Sequence, residues 1–177
     1  DMETLPENTQ FAVFGGGCFW CTEAVYERID GVLRVESGYM GGSAEDANYD
    51  AVCTGRTGHA EVIKVSFDPD KVSYEQLVNL HFISHDPTTL NRQGADVGPQ
   101  YRSVIFTFDE EQQQVAERVK EEVDASGEYE NPLVTQIVPA MAFYPAEDYH
   151  QDFYSNNKSY GYCRLVITPK LKKLGLE

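Results

Sequence analysis

The chain has 177 residues, a formal net charge of −15, and 41% hydrophobic residues including 11 Tyr and 9 Phe. That composition suits a globular protein with its own core and excludes a disordered chain. The acidic balance argues against nucleic acid and anionic membrane surfaces as partners, and no stretch reaches the ~20 apolar residues of a membrane span or forms a secretory apolar region. The expectation is one domain over 1–177, with a flexible start over 1–9 and an irregular tail over 155–177.

Taken in chain order, the apolar run Phe11 to Phe14 predicts a strand over 10–15, and Gly15-Gly16-Gly17 a sharp turn. A helix over 19–29 and a strand over 32–40 follow, the latter ending at Gly41-Gly42. A loop rich in Gly, Ser and Asn carries Tyr49 and Cys53 into a strand over 59–67, stopped by Asp68-Pro69. Ser73 is a helix cap with Glu75 and Gln76 in the first turn behind it, the helix running through Ser84. A long loop, Asp86 to Gln100, leads to a strand over 102–108, and Asp109 caps a polar helix to Asp124. These first six elements run β-α-β-β-α-β, the order of ferredoxin-like sheets. The predicted fold is therefore α+β with a mixed sheet. Beyond Gly127 come a short strand near 134–138, a proline-bounded segment and a helix of one to two turns near 146–154. An irregular tail then holds Cys163 before the apolar run Leu165 to Ile167.

The most informative stretch is Phe14-Gly15-Gly16-Gly17-Cys18-Phe19-Trp20-Cys21. It places a thiol at a helix N-terminus, where free N–H groups and the helix dipole favour thiolate, beside two aromatic rings. Cys18, Cys21, Val25 and Ile29 share one helical stripe, so both cysteines also suit small core positions. The three glycines favour chemistry, because close approach of a ligand to the backbone requires them and core packing does not. Four cysteines, at 18, 21, 53 and 163, are too few for a disulfide scaffold. A zinc site would want a second close pair. Redox chemistry is the better reading of Cys18 and Cys21.

On the strand after His59, Glu61 shares a face with Ile63, Val65 and Phe67. A carboxyl there is desolvated and its pKa rises toward that of a general acid, unless the strand end opens to water or His59 pairs with it. The loop from Asp86 to Ser103 is long enough to carry function. His81 and His85 lie four apart, a possible metal pair with no obvious third ligand, and read as packing or hydrogen-bonding residues. Tyr149-His150-Gln151 reads as structural.

Together these segments resemble the A-type peptide methionine sulfoxide reductases, over nearly the whole span from Phe14 to Cys163. The resemblance rests on Gly17-Cys18-Phe19-Trp20, Thr57-Gly58-His59-Ala60-Glu61, His85-Asp86-Pro87, Asn91-Arg92-Gln93-Gly94, Gln100-Tyr101-Arg102-Ser103 and Asp148-Tyr149-His150-Gln151. It implies reduction of the S epimer of methionine sulfoxide, with Cys18 as the nucleophile that is left as a sulfenic acid. It further implies a methyl pocket from Phe19 and Trp20, a proton from Glu61, hydrogen bonds to the sulfoxide oxygen from Tyr49 and Tyr101, and a loop carboxylate in Asp96. No cofactor is implied. A resolving thiol then forms a disulfide that thioredoxin or a similar dithiol reduces. Cys163 matches the recycling position and is expected to resolve first, with Cys21 as the alternative or second relay; Cys53 is a bystander. The chain departs from the family pattern at Cys21, at Ala95 and Pro99, and over 164–170, where many members carry a glycine-rich segment with another cysteine.

Two other readings compete. A thioredoxin-like dithiol oxidoreductase would use Cys18 and Cys21 alone, and a non-enzymatic metal-binding module would join cysteines to His59, His81 or His85. Reactive thiols lean toward a cytoplasmic setting, and a monomer is the expected state.

Overall fold

The computed structural model describes residues 4–176. Strand β1 (Gln10–Gly15) leads into helix α1 (Phe19–Tyr26), strand β2 (Val32–Met40), the single turn α2 (Tyr49–Val52), strand β3 (Ala60–Phe67) and helix α3 (Tyr74–Ser84). Two-residue strands β4 (Arg92–Gln93) and β5 (Asp96–Val97) follow, then β6 (Val104–Thr107) and α4 (Glu110–Ala125). The chain closes with β7 (Gln136–Pro139), β8 (Tyr144–Pro145), α5 (Phe153–Asn156), a π-helical turn at Cys163–Ile167 and α6 (Thr168–Lys173).

The main sheet has the order β7-β6-β1-β3-β2-β8. Its inner four strands, β6-β1-β3-β2, are antiparallel neighbours in the ferredoxin-like order, and β7 adds a parallel edge to β6. The expected α+β class with a mixed sheet is what the chain adopts. One face carries the main core, where Phe14, Ile63, Val65 and Phe67 meet Val25 and Tyr26 of α1 and Leu77, Val78 and Phe82 of α3. The other face carries a smaller cluster of Val13, Met40, Ala60, Val62, Val104 and Phe106, covered by Val138, Ala140 and Phe143. Strand β3 is thus buried on both sides, and each fully enclosed Ile or Phe contributes roughly 1.5–3 kcal/mol.

Local signals explain the helices that hold this frame. Ser73 Oγ accepts from Gln76 N–H at 3.1 Å while the Gln76 side chain accepts from Ser73 N–H at 2.8 Å, a reciprocal cap. Asp109 caps α4 through Gln112 N–H at 2.8 Å.

Three expectations need correction. Helix α1 ends at Tyr26, three residues early, because the chain must turn through Gly31 at φ +94 to enter β2. The loop carrying Tyr49 contains a helical turn, started by Asn48 Oδ1 accepting from Ala51 N–H at 2.9 Å. The tail is not irregular over 163–173: Cys163 and Ile167 are fully buried, and Thr168-Pro169 opens α6 with proline at a position needing no N–H donor. Of the stretch expected to be flexible, residues 1–3 lie outside the described residues. Over 4–9 the chain has a turn at Pro6–Thr9, and Asn8 reaches Asp68 and Asp70 at 3.4 Å.

Candidate active site

Cys18 sits where β1 hands over to α1, as the N-cap residue with extended backbone (φ −63, ψ 130). Its carbonyl accepts from Cys21 N–H at 3.0 Å and Thr22 N–H at 3.4 Å, so the thiol is fixed to the first turn of a buried helix. The glycines before it are required by packing and by the turn, and Gly16 and Gly17 also line the cavity beside the thiol. A Cβ on Gly15 would lie 2.8 Å from Val104 Cγ1, and one on Gly16 would lie 3.0 Å from the His85 ring. Gly17 takes φ +92 with Gln93 against it.

Glu61 is 1% exposed, at the end of β3 that points under the start of α1. Its Oε1 accepts from Phe19 N–H at 3.1 Å, a bond that uses one of the free donors of the helix terminus. Its Oε2 is buried with no protein partner. His59 does not pair with it: the imidazole accepts from Gly42 N–H at 3.1 Å and donates to Ser43 C=O at 2.8 Å. Burial dominates the carboxyl and, with a smaller push from Asp96 and opposed by the Phe19 N–H, lifts its pKa to about 8. At neutral pH it holds a proton and can donate it.

The expected thiolate at Cys18 is not the resting state. Burial pushes this thiol well up, the Glu61 charge and Cys21 add to it, and the Trp20 N–H opposes them without prevailing. The helix terminus contributes in the expected direction, but an eight-residue helix whose first donor is spent on Glu61 cannot offset desolvation. A neutral thiol and a neutral carboxyl face the same space.

Around them lies an aromatic flank. Phe19 is fully buried, 5.7 Å from Tyr39 and 5.1 Å from His150 between ring centroids, so it backs the site rather than lining its surface. Trp20 is partly exposed, stacks on Phe153 at 3.7 Å and donates its indole N–H to His150 Nδ1 at 3.0 Å. Tyr49 lies 4.5 Å from His150. The Tyr49 and Tyr101 hydroxyls are pushed up by burial first; Cys53 and then Glu61 add to Tyr49, and Glu61 and then Cys18 to Tyr101. Both phenols are donors beside the thiol and the acid. Tyr101 is further tied in by its carbonyl, which accepts from Gly17 N–H at 3.2 Å.

The other flank of Cys18 is built by the tail. A cavity of about 190 Å³ is lined by Gly17, Cys18, Cys21, Asp96, Tyr162 and Lys170, among others. Tyr162 donates to Asp96 Oδ2 at 2.9 Å, and its hydroxyl lies 3.4 Å from Cys21 Sγ. Asp96 therefore ties the tail to the thiols, while its charge also reaches Glu61 and Tyr101. Cys163, the next residue, is fully buried and does not line the cavity. Cys53 is exposed next to Tyr49 and outside the Cys18–Cys21 turn; all four thiols are free.

His81 and His85 are tied into the protein by hydrogen bonds. His81 donates to Gly15 C=O at 2.8 Å; His85 meets Ser103 Oγ at 2.7 Å and the His81 carbonyl. Burial pushes His81 down to about 4 and holds His85 well below the usual imidazole range. Among the described residues, the one grouping close enough to hold a cation is Glu23, Glu27 and Asp152, which contains no Cys or His.

Sequence reasoning passed over four residues of this region. His150 joins Trp20, Phe19 and Tyr49, although Tyr149-His150-Gln151 read as structural. Glu147 accepts from Tyr39 Oη at 2.9 Å and Tyr49 N–H at 3.1 Å, and Tyr162 and Lys170 shape the thiol cavity. The available signal was the density of aromatic residues between 149 and 162.

The profile of the family described as peptide methionine sulfoxide reductase matches residues 10–176. A relative from Deinococcus radiodurans, peptide methionine sulfoxide reductase MsrA, is 54% identical over 163 residues, spanning 92% of this chain and 79% of its own. Among solved structures, reduced Mxr1 from Saccharomyces cerevisiae superposes with a TM-score of 0.84 at 34% identity, covering 90% of this chain and 91% of its own. Mxr1 in complex with Trx2 aligns with a TM-score of 0.60 at 25% identity over 86% and 89% of the two chains. With the thiol, the buried carboxyl and the two phenols converging where these comparisons align, the chain belongs to the peptide methionine sulfoxide reductase family.

Proposed function

We propose that this chain is an oxidoreductase acting on sulfur that reduces the S epimer of methionine sulfoxide, free or in a peptide, with Cys18 as nucleophile and Glu61 as acid. The observation that carries this reading is the Glu61 carboxyl, buried, proton-bearing at neutral pH and bonded to the N–H of the residue after Cys18. A sulfoxide oxygen leaves poorly until it is protonated, so a neutral acid must reach it while the thiol attacks sulfur. Tyr49 and Tyr101 donate to that oxygen as charge collects on it. Trp20, backed by Phe19, takes the methyl group.

Overall, the Cys18 thiol and the sulfoxide give a thioether and a sulfenic acid on Cys18: oxygen passes from one sulfur to the other, and two electrons pass back. No net proton is consumed, and no cofactor is required. A thiol, an acid with phenols, and an aromatic flank define three directions about the sulfur, which is the minimum for a chiral preference. Recycling falls to the remaining thiols and to thioredoxin or a similar dithiol, a partner supported by the Mxr1 complex with Trx2. Every group named comes from one copy of the chain, so a monomer suffices. Four free thiols suit a reducing compartment such as the cytoplasm.

Reduced protein mixed with each epimer of a methionine sulfoxide peptide, without added reductant, should release methionine from S only. Equal consumption of both epimers, or release from R alone, would contradict the reading.

A further inference from the structure

We propose that Cys21, not Cys163, is the thiol that first captures the Cys18 sulfenic acid, that Tyr162 and Lys170 position and activate it, and that Cys163 acts second by taking the disulfide from Cys21. This deepens the reading of Cys18 as nucleophile and rests on it. It reverses the order that the resemblance alone implies.

The geometry carries it. Cys18 and Cys21 are joined by the first hydrogen bond of α1 and open into the same cavity. One helical turn separates them, a spacing at which a disulfide closes with small backbone adjustment. Cys163 is enclosed in the core at the first residue of the π-helical turn, and of the other thiols it is Cys21 whose charge it feels. The turn that carries Cys163 packs against α1, the helix that carries Cys21, which suits a relay from Cys18 through Cys21 to Cys163.

Cys21 is also the equipped one. Tyr162 Oη lies 2.9 Å from Asp96 Oδ2 and 3.4 Å from Cys21 Sγ, so its proton, given to the carboxylate at rest, can turn to the sulfur as Cys21 ionises. Burial raises the Cys21 thiol, and the two largest opposing influences are the Lys170 ammonium and that Tyr162 contact. Cys163 has no such helper: burial and then Cys21 both push it up.

In the first step the Cys21 sulfur attacks the Cys18 sulfenic sulfur. The S–O bond breaks, the Cys21 proton leaves with the hydroxide as water, and the sulfenic acid is reduced while Cys21 is oxidised. In the second, Cys163 attacks the Cys21 sulfur and releases Cys18 as the thiol, carrying the proton Cys163 gives up. The Cys21–Cys163 disulfide then awaits the external dithiol, and Cys18 is free for a second substrate.

The test is a time-resolved single turnover with an S-sulfoxide peptide and no reductant, acid-quenched and mapped by mass spectrometry. In the unaltered protein the Cys18–Cys21 disulfide should form first and Cys21–Cys163 after it. Cys163→Ser should release one methionine per chain and stop at Cys18–Cys21. Cys21→Ser should also release one, but keep a sulfenic acid that a cyclic dione traps. Lys170→Met should slow sulfenic acid decay several-fold and move its pH midpoint upward, with Lys170→Arg restoring both; a merely structural role would not move the midpoint. A Cys18–Cys163 bond appearing first in the unaltered protein, or forming in Cys21→Ser as fast as sulfenic acid normally disappears, would overturn the proposal. Failure of the unaltered protein to release any methionine would overturn instead the reading beneath it, and the proposal with it.

Discussion

The two flanks of Cys18 are built by opposite means. On the substrate flank Glu61 stands on a strand buried on both faces, Phe19 is sealed in the core, and the Gly17 N–H bond to Tyr101 ties a phenol to the nucleophile's own turn. On the thiol flank the groups come from two-residue strands and from short helical turns near the C-terminus, and one tyrosine hydroxyl joins them. The difference fits the two jobs proposed for them. Protonating an oxygen during attack depends on groups fixed before the substrate arrives. Passing a disulfide from sulfur to sulfur and out to a partner requires an element that opens at small cost, which short segments with few ladder bonds supply.

Substitutions on the two flanks should therefore separate cleanly. Cys18→Ser should abolish methionine release altogether. Glu61→Gln should lower the single-turnover rate about 10²–10⁴-fold, the usual contribution of a positioned acid, read by quenched-flow measurement of methionine. A rate within a few-fold of normal would show that the two flanks do not divide the work this way. Tyr162→Phe, on the other flank, should leave the methionine burst intact and slow steady-state turnover with a dithiol roughly 2–10-fold, the worth of one hydrogen bond. A slowed burst would place Tyr162 in the chemical step instead.

The smallest expected effect is on stability. Glu61 titrates at about 8 when folded and in the ordinary carboxylate range when unfolded. The folded state thus binds the proton more tightly, and its stabilising contribution, complete below the unfolded pKa, is lost as pH rises through 8. Glu61→Gln removes that loss. At pH 8 it should be more stable by up to about 4 kcal/mol, the gain fading toward pH 5. Equal melting curves at both pH values would remove the buried-carboxylate penalty from the account.

The sheet and the substrate flank were legible because their signals are local or periodic. Alternation along 59–67 put Glu61 on the apolar face, and caps at Ser73 and Asp109 marked helix starts to the residue. What failed depends on contacts distant in sequence. The need for glycine at position 16 comes from the His85 ring. The ionisation of Cys18 turns on burial, which a helix-start argument does not contain. His150 declares itself only when Trp20, Phe19 and Tyr49 converge on it. The tail read as irregular because its helical turns are short and strongly mixed in polarity; burial of Cys163, Ile167 and Leu171 stabilises them.

The pH dependence of the single-turnover methionine burst tests the division of labour at Cys18 most directly. The Cys18 thiolate fraction keeps rising up to that thiol's own raised pKa. The account therefore predicts a rate that climbs with pH and levels off near 8, where Glu61 loses its proton, and a slow Glu61→Gln profile that climbs on without this break. A Glu61→Gln protein that releases methionine at the normal rate with the break near 8 intact would contradict it.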